Sequence, residues 1–254
     1  MKKKLVAVLA CRNTGSRLYG KPLQNLDIRK NYTVLDNLIN CLKTYNFIED
    51  ICLAVSAGDA NKIFIKYAKL KKLKYVIGDE IDVLSRLIKS GKHCKATDIL
   101  RVSSESPFLF FEKLHSSWLL HKKNNNDLTA LDNVVDGIGF EIVSLASLKF
   151  SHKNGKKKHR SELCTLFIRE NLSSFKCEKV NVRQLFDRKD LRLTVDNPED
   201  LILCREIYNK FKNKSPKIKI LDIINFLDKN KNLISLTKKY TEAGYKNMNI
   251  WKKK

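Results

Sequence analysis

Apolar residues in this chain fall into short unbroken runs. Between the runs lie longer stretches in which apolar residues recur every three or four positions. Such runs read as strands buried on both faces, and the longer period reads as helices with one apolar stripe. The predicted strands are Leu5–Ala10, Ile51–Val55, Tyr75–Ile77, Ile99–Val102, Leu128–Leu131, Phe140–Val143 and Leu191–Val195. Predicted helices run from Thr33 to Tyr45, from an N-cap at Asp59 to about Lys71, and from Glu80 to about Cys94. Others run from Phe111 to Lys122, from Ser161 to Asn171, and from Pro198, in a first turn, to about Lys212. Residues 151–160 are polar, contain Gly155 and lack apolar periodicity, so they read as a mobile loop.

Strands alternating with helices imply an α/β fold around a largely parallel, covered sheet, with ligands beyond the C-terminal strand ends. Residues 1–212 carry this alternation and read as one domain. Residues 213–254 read as a lysine-rich helical extension that packs on it through Ile218, Ile220, Leu221, Ile223, Ile224 and Leu227.

Composition narrows the picture less than charge suggests. With 254 residues, 43% of them hydrophobic, the chain can bury a sizeable core. No apolar run is long enough to span a bilayer. The short apolar run after Met1-Lys-Lys-Lys4 lacks a cleavage pattern, so export is not expected. Seven scattered cysteines without a C-x-x-C pair argue against a disulfide framework or a zinc site and favour a reducing cytoplasm. The net charge of +23 is mostly lysine spread along the chain, without the interleaved aromatics of a single-strand platform. Nucleic acid is therefore not the expected partner, and steep salt dependence of binding would mark that alternative.

The densest chemistry follows the first strand. Cys11–Lys21 contains Gly15, Gly20, Arg12, Arg17 and Lys21. Glycines let a backbone approach phosphates with its N–H groups pointing inward, and the cations neutralise them. A basic surface turn is the plain alternative. Other singled-out residues also have ordinary readings. Asp196, before Asn-Pro-Glu-Asp, suits a helix N-cap; Asp136-Gly137 suits a turn; Asp82 and Arg86 suit an i,i+4 surface pair. Cys11 reads as a packing residue and His159 as solvated.

Six segments in order resemble the SpsF-like cytidylyltransferases of spore-coat polysaccharide biosynthesis, relatives of the CMP-KDO and CMP-acylneuraminate synthetases. Against the family loop A-R-x-G-S-T-R-L-P-G-K, Arg12, Ser16, Arg17, Leu18, Gly20 and Lys21 line up, with Thr14 at the family Gly and Tyr19 at its Pro. Gly78-Asp79-Glu-Ile-Asp82-Val-Leu-Ser-Arg86 resembles G-D-x-x-D-V-L-x-R. Arg101-Val-Ser-Ser-Glu105-Ser-Pro107 resembles R-x-T-G-D-x-P, with Ser104-Glu105 in place of Gly-Asp. Asp136 to Glu141 resembles D-G-x-x-x-E, and Ser161-Glu162 resembles the start of S-E-R-E-H-V-T, with Leu163 departing from the family pattern. Leu193-Thr-Val-Asp196-Asn-Pro-Glu-Asp200 matches T-V-D-x-P-E-D.

The resemblance covers about residues 4–212. It implies a Rossmann-like three-layer nucleotide-diphospho-sugar transferase fold with a mostly parallel mixed sheet. It implies attack by a sugar or sugar-acid hydroxyl on the α-phosphate of CTP, with release of pyrophosphate, for surface glycan synthesis. Catalytic roles then fall on Arg12, Arg17, Lys21, Glu105 and Asp196, the last two holding Mg2+. Nucleotide contacts fall on Ala10, Arg12, Gly15, Ser16, Arg17, Lys21, Ser56, Asp79, Arg86 and Ser103. Acceptor contacts fall on Asp136, Glu141, Arg160 and Glu162. Among such relatives a homodimer is common. Two alternatives stay open: a sugar-1-phosphate nucleotidyltransferase using another nucleotide, and a nucleotide-binding relative that has lost turnover. The departures at Ser104-Glu105 and Leu163 motivate the second.

Overall fold

The run Leu5–Cys11 forms the first strand, β1, and all but one of its residues are buried. In the computed structural model, residues 2–13 and 17–248 are described, with side chains as far as residue 241. Further strands are β2 (Asn25–Asp27), β3 (Tyr32–Thr33), β4 (Ile48–Ser56), β5 (Lys74–Gly78), β6 (Asp98–Arg101), β7 (Leu128–Leu131), β8 (Phe140–Ser144) and β9 (Cys177–Lys179). The helices are α1 (Val34–Lys43), α2 (Lys62–Leu70), α3 (Val83–His93), α4 (Phe111–Asn124), α5 (Leu145–Asn154), α6 (Leu166–Glu170), α7 (Pro198–Phe211), α8 (Ile220–Lys229) and α9 (Lys231–Met248). None is long and apolar enough to cross a membrane.

Seven strands make one sheet in the order β5-β4-β1-β6-β8-β7-β9. Only β8 runs antiparallel to its neighbours β6 and β7. The other ladders of this sheet are parallel, so β1, β4, β5, β6, β7 and β9 all end on one edge, where β8 begins. Alternation along β1 sorts the core into two layers. Leu5, Ala7, Leu9 and Cys11 face α1, α2, α4, α7 and α8. Val6 and Val8 face α3, α5 and α6. This is the largely parallel, covered sheet that the alternation predicts, and it is mixed as the resemblance implies.

Several expected boundaries move, each for a local reason. Asp59 does not cap α2; it sits in a 3-10 turn, Asp59–Asn61, and its carboxylate holds Lys62 Nζ at 2.7 Å. The helix expected from Glu80 begins at Val83, because Asp82 accepts from the Ser85 N–H at 2.8 Å. The second Asp82 oxygen meets His152 Nε2 at 2.7 Å, so Asp82 and Arg86 are not a surface pair. Residues 151–160 are not a loop throughout: 151–154 complete α5, Lys157–Arg160 form a 3-10 turn, and His159 is buried against Glu170 at 2.9 Å. The helix expected from Ser161 is only α6, and Leu191–Val195 is extended chain with one bridge, Arg192 to Asp136, rather than a strand. In the C-terminal segment Ile218, Ile220, Ile223, Ile224 and Leu227 are buried in the first core layer, whereas Leu221 is exposed.

Candidate active site

A cavity of about 780 Å³ opens at the edge where the parallel strands end. Strand ends supply its floor: Ala10 from β1, Arg101 from β6, Leu131 from β7 and Phe140 and Glu141 from β8. The loop after β1 forms one wall with Arg12, Arg17, Gly20 and Lys21. Gly20 holds φ +58°, a left-handed conformation that favours glycine, and it turns the chain into the 3-10 turn that carries Lys21. Gly15 and Ser16, assigned to the nucleotide from sequence, lie outside the described residues.

Asp196 stands opposite that loop. It does not cap α7; Asn197 does, while Asp200 accepts the Asp196 N–H at 3.0 Å and the Asn197 N–H at 2.8 Å. The Asp196 carboxylate is thereby left for the cavity. Its Oδ1 accepts from Lys21 Nζ at 2.6 Å, and Oδ2 accepts from Arg192. Burial opposes its charge, but Lys21, Arg192 and Arg17 outweigh burial and hold the carboxyl below its ordinary range. Arg192, which sequence reasoning passed over, is 4% exposed and gathers three carboxylates. Besides Asp196, it reaches Asp136 Oδ2 at 2.5 Å and Asp200 Oδ1 at 3.2 Å. Its only signal in the sequence was a cation between two apolar residues, Leu191 and Leu193.

Glu105 joins this wall through the backbone, where the Val195 N–H donates to the Glu105 carbonyl at 3.0 Å. Its side chain is half-buried, and the Ser104 hydroxyl lies 2.9 Å from Oε2 and 2.8 Å from the Ala10 carbonyl. Asp136 is buried beside Asp196, Asp200 and Glu105; burial and these neighbours outweigh Arg192 and push its carboxyl up to about 6. The Asp136-Gly137 turn is genuine, with Gly137 at φ +96°.

The far end of the cavity is built on Glu141. Oε2 accepts from Arg101 Nη1 at 2.8 Å, and Oε1 accepts from Arg169 Nη2 at 2.7 Å and the Thr165 hydroxyl at 2.5 Å. Burial works against this carboxylate, yet the two arginines hold it down to about 2. Glu141, expected from the sequence to meet the acceptor, is the anchor that orients Arg101 and Arg169. Neither arginine was assigned a role from sequence, although Arg101 lay inside a matched motif.

Other assignments divide cleanly. Arg12, Arg86, Ser103 and Glu162 line the cavity, and Arg12 pairs with Glu162. Ser56, Asp79 and Arg160 stand off its wall. Ser56 is fully buried at the end of β4. Asp79 accepts the N–H groups of Ile81 and Asp82 at 2.8 and 2.7 Å, which orders its loop. Arg160 is turned by the 3-10 segment toward the His152 carbonyl and Asp82. Cys11 is a packing residue, and burial pushes its thiol up to about 12.

Known proteins resemble the chain over nearly its whole length. It is 24% identical over 231 residues to the spore coat polysaccharide biosynthesis protein SpsF of Bacillus subtilis, covering 89% of this chain and 95% of that protein. The structure of a cytidylyltransferase from Leptospira borgpetersenii superposes with a TM-score of 0.82 at 20% identity, covering 92% of this chain and 97% of the other. CMP:2-keto-3-deoxy-manno-octonic acid synthetase complexed with CTP superposes with a TM-score of 0.61 at 12% identity, covering 82% and 99%. Both superpositions place the fold among the nucleotidyltransferases. Residues 6–248 match the cytidylyltransferase family, and the chain belongs to that family.

Proposed function

We propose that the protein transfers CMP from CTP to a hydroxyl of a sugar or sugar acid, releasing pyrophosphate, and so supplies an activated sugar for surface glycan synthesis. One observation carries the reading: a single cavity holds a cationic loop wall, a pair of linked carboxylates and a second, arginine-rich end. Arg12, Arg17 and Lys21 suit a triphosphate. Arg101, Glu141 and Arg169 suit a hydroxylated acceptor, because they form a fixed array of donors and acceptors.

Glu105 and Asp196 both line the cavity and are the residues that would hold a Mg2+ ion, which binds through one or two carboxylates together with substrate phosphates. Lys21 already places a cation on Asp196 Oδ1, so that oxygen is directed at positive charge. When bound, the metal would neutralise charge on the α-phosphate and the attacking oxygen. The chain's own contribution is positioning. Arg17 and Lys21 fix the polyphosphate, Arg192 holds Asp196 in place, and the Glu141 array orients the acceptor toward the α-phosphate. Such a transfer needs alignment and charge neutralisation more than covalent catalysis.

The test is pyrophosphate release from CTP with Mg2+ over a panel of sugar acids and sugar 1-phosphates. Release with a sugar acid supports the reading. Release only with a sugar 1-phosphate and another nucleotide favours the first alternative, and no release despite CTP binding favours the relative without turnover.

A further inference from the structure

The outer face of α5 carries an aromatic ring that the core does not take in. Phe150 is 52% exposed. Its ring lies against Phe167 of α6, at 6.2 Å between centroids, and against Phe175 before β9, at 5.8 Å. Phe167 and Phe175 meet edge-on at 6.1 Å, and both are half-buried. Three segments remote in sequence thus build one aromatic patch with Phe150 outermost.

Cations rim the patch. Lys153 stands one helical turn on from Phe150, and Lys149 one turn before Lys153. Lys156 and Lys157 follow in the adjoining turn, and Lys176 follows Phe175; all five lysines are exposed. Among the described residues none of the five is in an ion pair. Glu170, at the end of α6, is already held by Lys158 at 2.6 Å and His159 at 2.9 Å. The lysine-rich stretch at α2 differs, because Lys62, Lys71 and Lys74 each hold a carboxylate there.

The chemistry of this face selects its occupant. A second copy is a poor one, since a two-fold contact would set lysine against lysine. A folded protein is disfavoured too, because protein interfaces take up Arg and shed Lys. Lysines on flexible stems suit a fluid layer of anionic headgroups, and a ring on a helix face suits the apolar boundary beneath it. We propose that this face docks the protein peripherally on an anionic phospholipid surface. Phe150 enters the headgroup layer, and Lys149, Lys153, Lys156, Lys157 and Lys176 pair with lipid phosphates around it.

The test is co-sedimentation of the full chain with vesicles of phosphatidylcholine, alone or mixed with phosphatidylglycerol. The mixed vesicles should carry the protein down and the neutral ones should not. Phe150→Ser should lower the affinity about fivefold, and Lys153→Glu combined with Lys157→Glu about tenfold or more. Lys66→Glu combined with Lys69→Glu, at exposed positions of α2, makes the same change in net charge. That variant should cost less than about threefold. Equal losses from the two double variants would assign binding to net charge alone and overturn the proposal. So would failure to sediment with the mixed vesicles, or unchanged binding by Phe150→Ser. Single-stranded oligonucleotide held through Lys153 and Lys157 without vesicle binding would overturn it in favour of nucleic acid. Self-association in light scattering that Phe150→Ser abolishes would overturn it in favour of a second copy.

Discussion

Lys21 and Asp196 meet at 2.6 Å although 175 positions separate them in sequence. The contact joins the loop after β1 to the turn before α7 and sets a cation and a carboxylate on facing walls of the cavity. Asp196 has no capping duty, since Asn197 and Asp200 close the α7 N-terminus. Asp196→Asn should therefore cut metal-dependent turnover by about a hundredfold or more, the scale of removing one transition-state contact, while the thermal midpoint changes little. Pyrophosphate release and a melting curve on the same sample separate the two effects. An unfolded variant with an active folded fraction would restore a purely structural role for Asp196.

Arg17 is exposed on the loop wall and acts on Asp196 only through its charge. Arg17→Ala should weaken triphosphate binding by about 1.5–3 kcal/mol, the range for hydrogen bonds to charged groups. Unchanged affinity in a titration would remove Arg17 from the phosphate site.

Glu141 predicts an acid limb. Its carboxyl titrates at about 2 in the folded protein against an ordinary 4.5, because Arg101 and Arg169 overcome the cost of burial. A depressed folded-state value means the contribution, on the order of 3 kcal/mol, is complete above about pH 4.5 and is lost as pH falls toward 2. Urea unfolding of wild type and Glu141→Gln across pH 2–6 should show the stability gap narrowing as pH falls through that window. A gap independent of pH would mean the carboxylate's charge contributes nothing.

Much of this arrangement was legible in the sequence because period and buried runs report the sheet directly. β1, β4 and β7 lie where unbroken apolar residues placed them. Two of the misplacements share one cause: side chains that cap or bridge outweighed local pattern. Asp82 delayed α3, and polar residues 151–160 formed structure because His159 found Glu170. The lining of the cavity was legible where a motif carried it, as with Lys21, Glu105 and Asp196. Arg192 and Arg169 escaped because their roles depend on carboxylates brought from other strands and loops, which no local spacing records.

Gly137 offers a check on the turn that places Asp136. At φ +96°, an added Cβ would lie 2.5 Å from the Leu193 carbonyl carbon, a backbone atom with little freedom to move. Gly137→Ala should destabilise the fold by about 1–3 kcal/mol, the cost of overpacking, and more if the backbone cannot relax. A denaturant midpoint equal to wild type would contradict the described turn.

The proposed transfer requires this cavity to take CTP with its phosphates on the Arg17–Lys21 wall. Calorimetric titration with CTP, then UTP, GTP and ATP, each with and without Mg2+, tests it most directly. The expected result is selective, magnesium-dependent binding of CTP, weakened by Arg17→Ala. Failure of every triphosphate to bind would contradict it.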